Sequence, residues 1–209
     1  LFPYTTLFRS GSFISGLRVL SLGSASLTTD TYGIFGAEVD ANDQVTVDAE
    51  TDVTNSAFSS AESWIRVTAG GDVTDVDSLA ASTILYEVAG DVTNGTATAG
   101  DDITLRVDGG ITNLLATTDG GDSITVAGRG TGAAAWSMDG GVFTAETVNF
   151  LVSHGIGAEN AVVLAGVDSI WMSNTVGGGI NVVNTNNDAT TVTATSAGTG
   201  DITFDQNGT

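Results

Sequence analysis

The residues best suited by type to acid–base chemistry are the paired carboxylates Asp101-Asp102 and the single histidine of Ser153-His154-Gly155. General acid–base catalysis needs such groups poised against a substrate, and nucleophilic catalysis needs a Ser or Cys beside a base. One His and no Cys leave little from which to build a triad. The aspartates also stand in a Gly-Asp step that recurs at Gly121-Asp122 and Gly200-Asp201, as a turn would, so their expected role is structural. The same acids suggest a hard cation. Asp72, Asp91, Asp101 and Asp102 are the calcium candidates, with Asp75, Asp77 and Asp108 close in sequence, although neither an EF-hand loop nor a Gly-Gly-x-Gly-x-Asp nonapeptide is present. Trp64, Trp136 and Trp171 are available for stacking on sugars. Trp171 is the glycan-stacking candidate because it follows Ile170 where Thr stands elsewhere and should face outward, near Met172 and Asn174.

These groups must be positioned by a repeat. Apolar residues open short strand-like units at Val45, Ile65, Ile84, Ile103, Ile124, Phe143, Val162, Ile180 and Ile202, at steps of 18 to 22 residues. A second series opens at Val53, Val73, Val92 and Ile111, each eight residues behind its partner, and continues less cleanly at Phe150, Ile170 and Val192. Units such as Ile103-Thr104-Leu105 and Ile124-Thr125-Val126 alternate as half-buried strands do, apolar side chains inward and Thr outward. Glycine-aspartate steps such as Gly70-Gly71-Asp72 supply the corners. A period near 20 marks a solenoid, whose units bury their apolar faces only on their neighbours.

Equivalent strands recurring once per coil pair in parallel. The expected fold is therefore all-β, a parallel β-helix of about eight coils, right-handed by the usual crossover preference. Asn55, Asp75, Asn94 and Asn113 recur at steps of 20, 19 and 19, and form a structural column if coils stack in register, each side chain bonding the next. The pattern weakens over residues 128–157, where an irregular insertion is expected and residues 144–147 could open a brief helical turn. Residues 11–44 read as less regular coils of the same solenoid, and residues 45–209 as its repeats. Residues 1–10 resemble the in-frame translation of a sequencing adapter and are set aside as non-native, without fold information. The lack of an initiator Met and the stop straight after a strand unit suggest an internal piece of a longer chain.

The formal charge is −20, becoming −21 without Arg9, and there is no Lys. Such a field repels nucleic acid and anionic membranes. No apolar run approaches the roughly 20 residues of a membrane helix. Acidity with abundant Gly, Thr, Asn and Asp suits a bacterial extracellular or cell-surface protein. Outward Thr-x-Thr pairs, Thr96-Ala97-Thr98 and Thr193-Ala194-Thr195, fall at different phases of the coil, which argues against an ice-matching plane.

Repeats reading Ala-Gly-Asp-Val-Thr-Asn at Ala89 to Asn94, and Ala-Gly-Asp-Asp-Ile-Thr-Leu-Arg-Val-Asp-Gly-Gly-Ile-Thr-Asn at Ala99 to Asn113, resemble the shafts of filamentous haemagglutinin-like bacterial adhesins. The resemblance implies a secreted, non-enzymatic rod that spaces or displays a binding surface, with a host glycan or surface protein and the remainder of its own chain as partners. A β-helical polygalacturonase is a poorer comparison. His154 is preceded by Ser rather than Gly, no Asn-Thr-Asp lies upstream of Asp101-Asp102, and there is no Lys for that family's basic motif. The alternatives to a shaft are a carbohydrate-active β-helix enzyme and a calcium-stabilised surface-layer or matrix module.

Overall fold

The computed structural model describes residues 5–119, 121–130, 132–186 and 191–207. Alternating β-branched and Thr residues make the strands, and the repeat decides what each strand meets. Among the described residues there is no helix, and every named strand pairing is parallel. Ten strands, from Thr6–Ser10 to Thr191–Ser196, follow one another in coil order across a first sheet. In it Val45, Ile65, Ile84, Ile103 and Ile124 align Cα against Cα. The second sheet has fourteen strands because several coils break this face in two, as at Ile14–Ser15 and Arg18–Ser21, whereas Val53–Ser60, Val73–Ala80 and Val92–Ala99 run through. The chain is a parallel β-solenoid of about 20 residues per turn. It has ten rungs rather than eight, because Thr6–Ser10 and Ala25–Thr29 each contribute one. At about 4.8 Å per rung the stack is roughly 43 Å long.

The Val/Ile/Leu side chains at inward positions fill the channel between the sheets, and Val45, Val47, Ile65, Val67, Ile103 and Leu105 are fully buried. Each such side chain contributes about 1.5 to 3 kcal/mol against exposure. Two larger pairs cross the channel. Phe143 meets Phe150 edge to face at 5.0 Å, and Tyr86 bonds Ser78 through its hydroxyl at 2.8 Å. Burial pushes the Tyr86 phenol up to about 12, against the lowering effect of the Ser78 bond. At the last rungs Val192 and Ile202 are exposed, since each has a neighbouring strand on one side only.

The expected ladders change places after Ile124. Phe143, Val162, Ile180 and Ile202 lie on the second sheet, while Ile124 is followed on the first by Val148, Ile170 and Val192. Phe150 pairs with Val126 and Met172, so it shares this sheet but not the row of Ile170. Ala116 lies 13 residues beyond Ile103, but its partner Phe143 lies 19 beyond Ile124, so the intervening corner has gained six residues. That gain brings the crossing to the other sheet up to one coil length. A step between sheets then passes for a step within one.

Two local expectations also change. The helical turn anticipated over residues 144–147 is a bend at Ala145 and Glu146, where the Glu146 carbonyl accepts the N–H groups of Asp168 and Ser169, each at 3.0 Å. The adapter-like segment is not free of the fold. Leu1 to Tyr4 lie outside the described residues, but Thr6–Ser10 pairs in register with Ala25–Thr29. There Arg9 grips Asp30 with Nε to Oδ2 and Nη2 to Oδ1, both at 2.9 Å, and the bond from Arg9 holds the Asp30 carboxyl below its usual range.

Candidate functional site

Asn55, Asp75, Asn94 and Asn113 do form a column, and its basis is the backbone. Their φ values are 48°, 53°, 52° and 53°, in the left-handed region that only Gly, Asn and Asp visit readily. The register extends the column to Gly16 and Gly36 on one side and Gly140 on the other, at φ 60°, 64° and 62°. In each unbroken strand this residue inserts a bulge: Val53 points in, Thr54 and Asn55 both point out, and Ser56 points in again. The expected side-chain ladder is present at one step among the described residues, Asn94 Nδ2 donating to Asp75 Oδ1 at 3.2 Å. Sequence reasoning missed the three glycines because they share a conformation with the column and not a side chain.

The corner aspartates are used by the chain itself. Asp52 Oδ1 accepts the Asp72 N–H at 2.8 Å, Asp72 Oδ1 accepts that of Asp91 at 2.8 Å, and Asp91 Oδ1 accepts that of Gly110 at 2.7 Å. A Cβ on Gly71 or Gly90 would stand 2.0 Å from the carboxylate oxygen of the coil below, so the glycine beside each aspartate leaves room for it. Asp101 Oδ2 accepts the Ser82 hydroxyl at 2.7 Å, and Asp102 Oδ1 accepts the Ser123 N–H and hydroxyl at 2.9 and 2.8 Å. These acids are thus shared out among corners. Among the described residues no three His, Cys, Asp or Glu side chains converge on a point where a metal could sit.

His154 lies flat against Trp136, with ring centroids 3.7 Å apart and planes 17° from parallel, and both rings are solvent-exposed. Its Nδ1 is 2.9 Å from Ser153 Oγ, which in turn points at the carbonyls of Ala135 and Trp136 at 3.0 and 3.1 Å. A hydroxyl carries one proton and these carbonyls can only accept, so when Ser153 donates to either of them the imidazole is the donor in its pair with Ser153. Trp171 faces outward, 39% exposed, in the row that continues to Asn149 and Thr193. Met172 and Asn174 do not flank it on that face. Alternation turns both inward, and the Asn174 amide is buried, donating to the Gly177 and Gly178 carbonyls at 2.7 and 2.6 Å. The two Thr-x-Thr pairs lie on different sheets.

Two polar arrangements carried no signal in single residues. Glu87 bridges three rungs on the outer face of the first sheet, joined to Arg66 on one side and to Arg106, 3.4 Å away, on the other. Opposite charges 19 residues apart, the spacing of the vertical neighbours Glu87 and Arg106, would have disclosed half of it, whereas Arg66 reaches Glu87 diagonally from two residues before its vertical neighbour Thr68. Asp139 takes the N–H groups of Glu159 and Asn160 and the Asn160 amide, each at 2.8 Å. Burial works to raise its carboxyl, but these bonds outweigh it and hold the group below the usual range. No protein-family model, curated protein or solved structure matches this chain.

Proposed function

We propose that the chain is a non-enzymatic structural segment of a large secreted bacterial surface protein, a shaft of the filamentous haemagglutinin-like kind. Its coils serve as a rigid spacer outside the cell and offer faces for adhesion to a glycan or surface protein. The supporting observation is the ten-strand parallel ladder, which joins each coil to the next by backbone hydrogen bonds such as Val45 N–H to Trp64 O and Ile65 N–H to Thr83 O, both 3.0 Å. Load along the stack is shared by many such bonds at every rung. The corner acids support the same reading, since their oxygens bond the backbone of the next coil. No helix of the described residues is long and apolar enough to cross a membrane.

Single-molecule pulling between the two ends tests the spacer. The expected trace holds constant length until coils unfold in discrete steps, and smooth lengthening from the lowest forces contradicts it. Release of reducing ends from an acidic polysaccharide, lost in Asp102→Asn, would overturn the non-enzymatic part.

A further inference from the structure

The corner that gained six residues closes into a hook. Gly128 N–H donates to the Ala133 carbonyl at 2.8 Å, and Ala133 N–H to the Gly130 carbonyl at 3.0 Å. A Cβ on Gly128 would stand 2.8 Å from both Ala133 Cβ and Ala134 O, so the hook needs glycine there. It walls a groove of about 420 Å³ over the outer face of the first sheet, within the size range of small-molecule sites. Thr104 and Thr125, partners on adjacent rungs, line it together with Arg106 and Arg129.

The charge of this groove runs against that of the chain. The formal charge is −20, yet two arginines and no acid line it, whereas four other surface clefts each carry at least one carboxylate and no arginine. Its donors are also under-used. Among the described residues the Arg129 guanidinium makes no hydrogen bond, its ion-pair partner Asp108 Oδ2 standing 4.0 Å away. Arg106 makes one long bond, to Glu87 at 3.4 Å, and that carboxylate is shared with Arg66.

We propose that this groove binds a single carboxylate carried on a polyhydroxyl ring, a hexuronate residue. The two guanidinium forks take the carboxylate, and the Thr104 and Thr125 hydroxyls take ring hydroxyls. Arg66, Arg106 and Arg129 carry three positive charges against the two negative charges of Glu87 and Asp108, so a monoanion is balanced while a phosphate dianion meets the surrounding acids. The proposal names a ligand for the adhesive face of that reading and does not rest on the spacer, since a rigid rod could lack the site and the site could sit on a rod of another purpose.

The test is an NMR titration of the intact, amide-labelled chain with glucuronate, glucose and inorganic phosphate in parallel. Saturable shifts at millimolar glucuronate, centred on Thr104, Arg106, Thr125 and Arg129, are expected. Arg129→Gln should weaken them about tenfold with an unchanged melting curve. Tighter binding of glucuronate oligomers than of the monomer would identify a polymer as the source, and equal binding a free sugar acid. An equal response to glucose or phosphate, no response to glucuronate, or indifference to Arg129→Gln would overturn the proposal.

Discussion

Asn94 stands one rung from Asp75 with the same left-handed backbone, φ 52° against 53°, and its Nδ2 donates to Asp75 Oδ1 at 3.2 Å. The shared conformation matters more than the bond, because it recurs at every member of the column and the bond does not.

Substitution at Asn94 should separate the two. Asn94→Gly keeps access to positive φ and is expected to change stability by less than about 1 kcal/mol. Asn94→Val adds a branched Cβ in a region it avoids and should cost about 2 kcal/mol or more. Urea melts of both variants decide the matter, and similar losses would show that the side-chain bond is the important term.

The inward and outward rows predict opposite tolerance in neighbouring residues. Ile103 is fully buried, so Ile103→Asp forfeits its burial and places a carboxylate in the channel, at a cost of about 4 kcal/mol or more. Thr104→Ser, on the outer face, should stay within about 0.5 kcal/mol. Equal shifts in a urea melt would contradict the assignment of faces.

Fold class, coil length and the outward direction of Trp171 were legible because each depends on alternation or period, which apolar and Thr residues display directly. The course of the chain beyond Ile124 was not, because the six added residues make the crossing to Phe143 as long as one coil. Corner acids such as Asp72 and Asp91 showed as turns, but their bonds to the next coil depend on a glycine beside them and on vertical stacking. The hook groove was illegible for a related reason: Arg106 and Arg129 are 23 residues apart and line one groove only because their rungs are stacked.

Tyr86 gives the core a signature at high pH. Its folded pKa is raised to about 12, chiefly by burial, above an ordinary value of 10. The neutral phenol therefore contributes stability that is complete below pH 10 and lost as the pH rises toward 12. Melting temperature should fall over that window more steeply in the native chain than in Tyr86→Phe. Parallel curves would contradict the burial of the Tyr86 phenol.

Asp139 should act at the other end of the scale. Its folded pKa is lowered, so its contribution is present above the ordinary carboxylate value, near 3.9, and is lost as the pH falls through the folded value. Asp139→Ala should be less stable than the native chain at neutral pH, with the gap closing in acid. A gap that persists unchanged into acid would show that the carboxylate charge is not what holds Glu159 and Asn160.

The most direct measurement is a distance along the stack. Ser26 and Thr193 occupy the same outward row, joined through Thr46, Arg66, Leu85, Thr104, Thr125, Asn149 and Trp171. The chain has no cysteine, so spin labels on Ser26→Cys and Thr193→Cys are unique. Eight rungs of about 4.8 Å predict one narrow distance distribution centred near 38 Å, allowing for the label arms. A broad distribution, or one centred far below that length, would contradict a rigid rod of coils stacked in register.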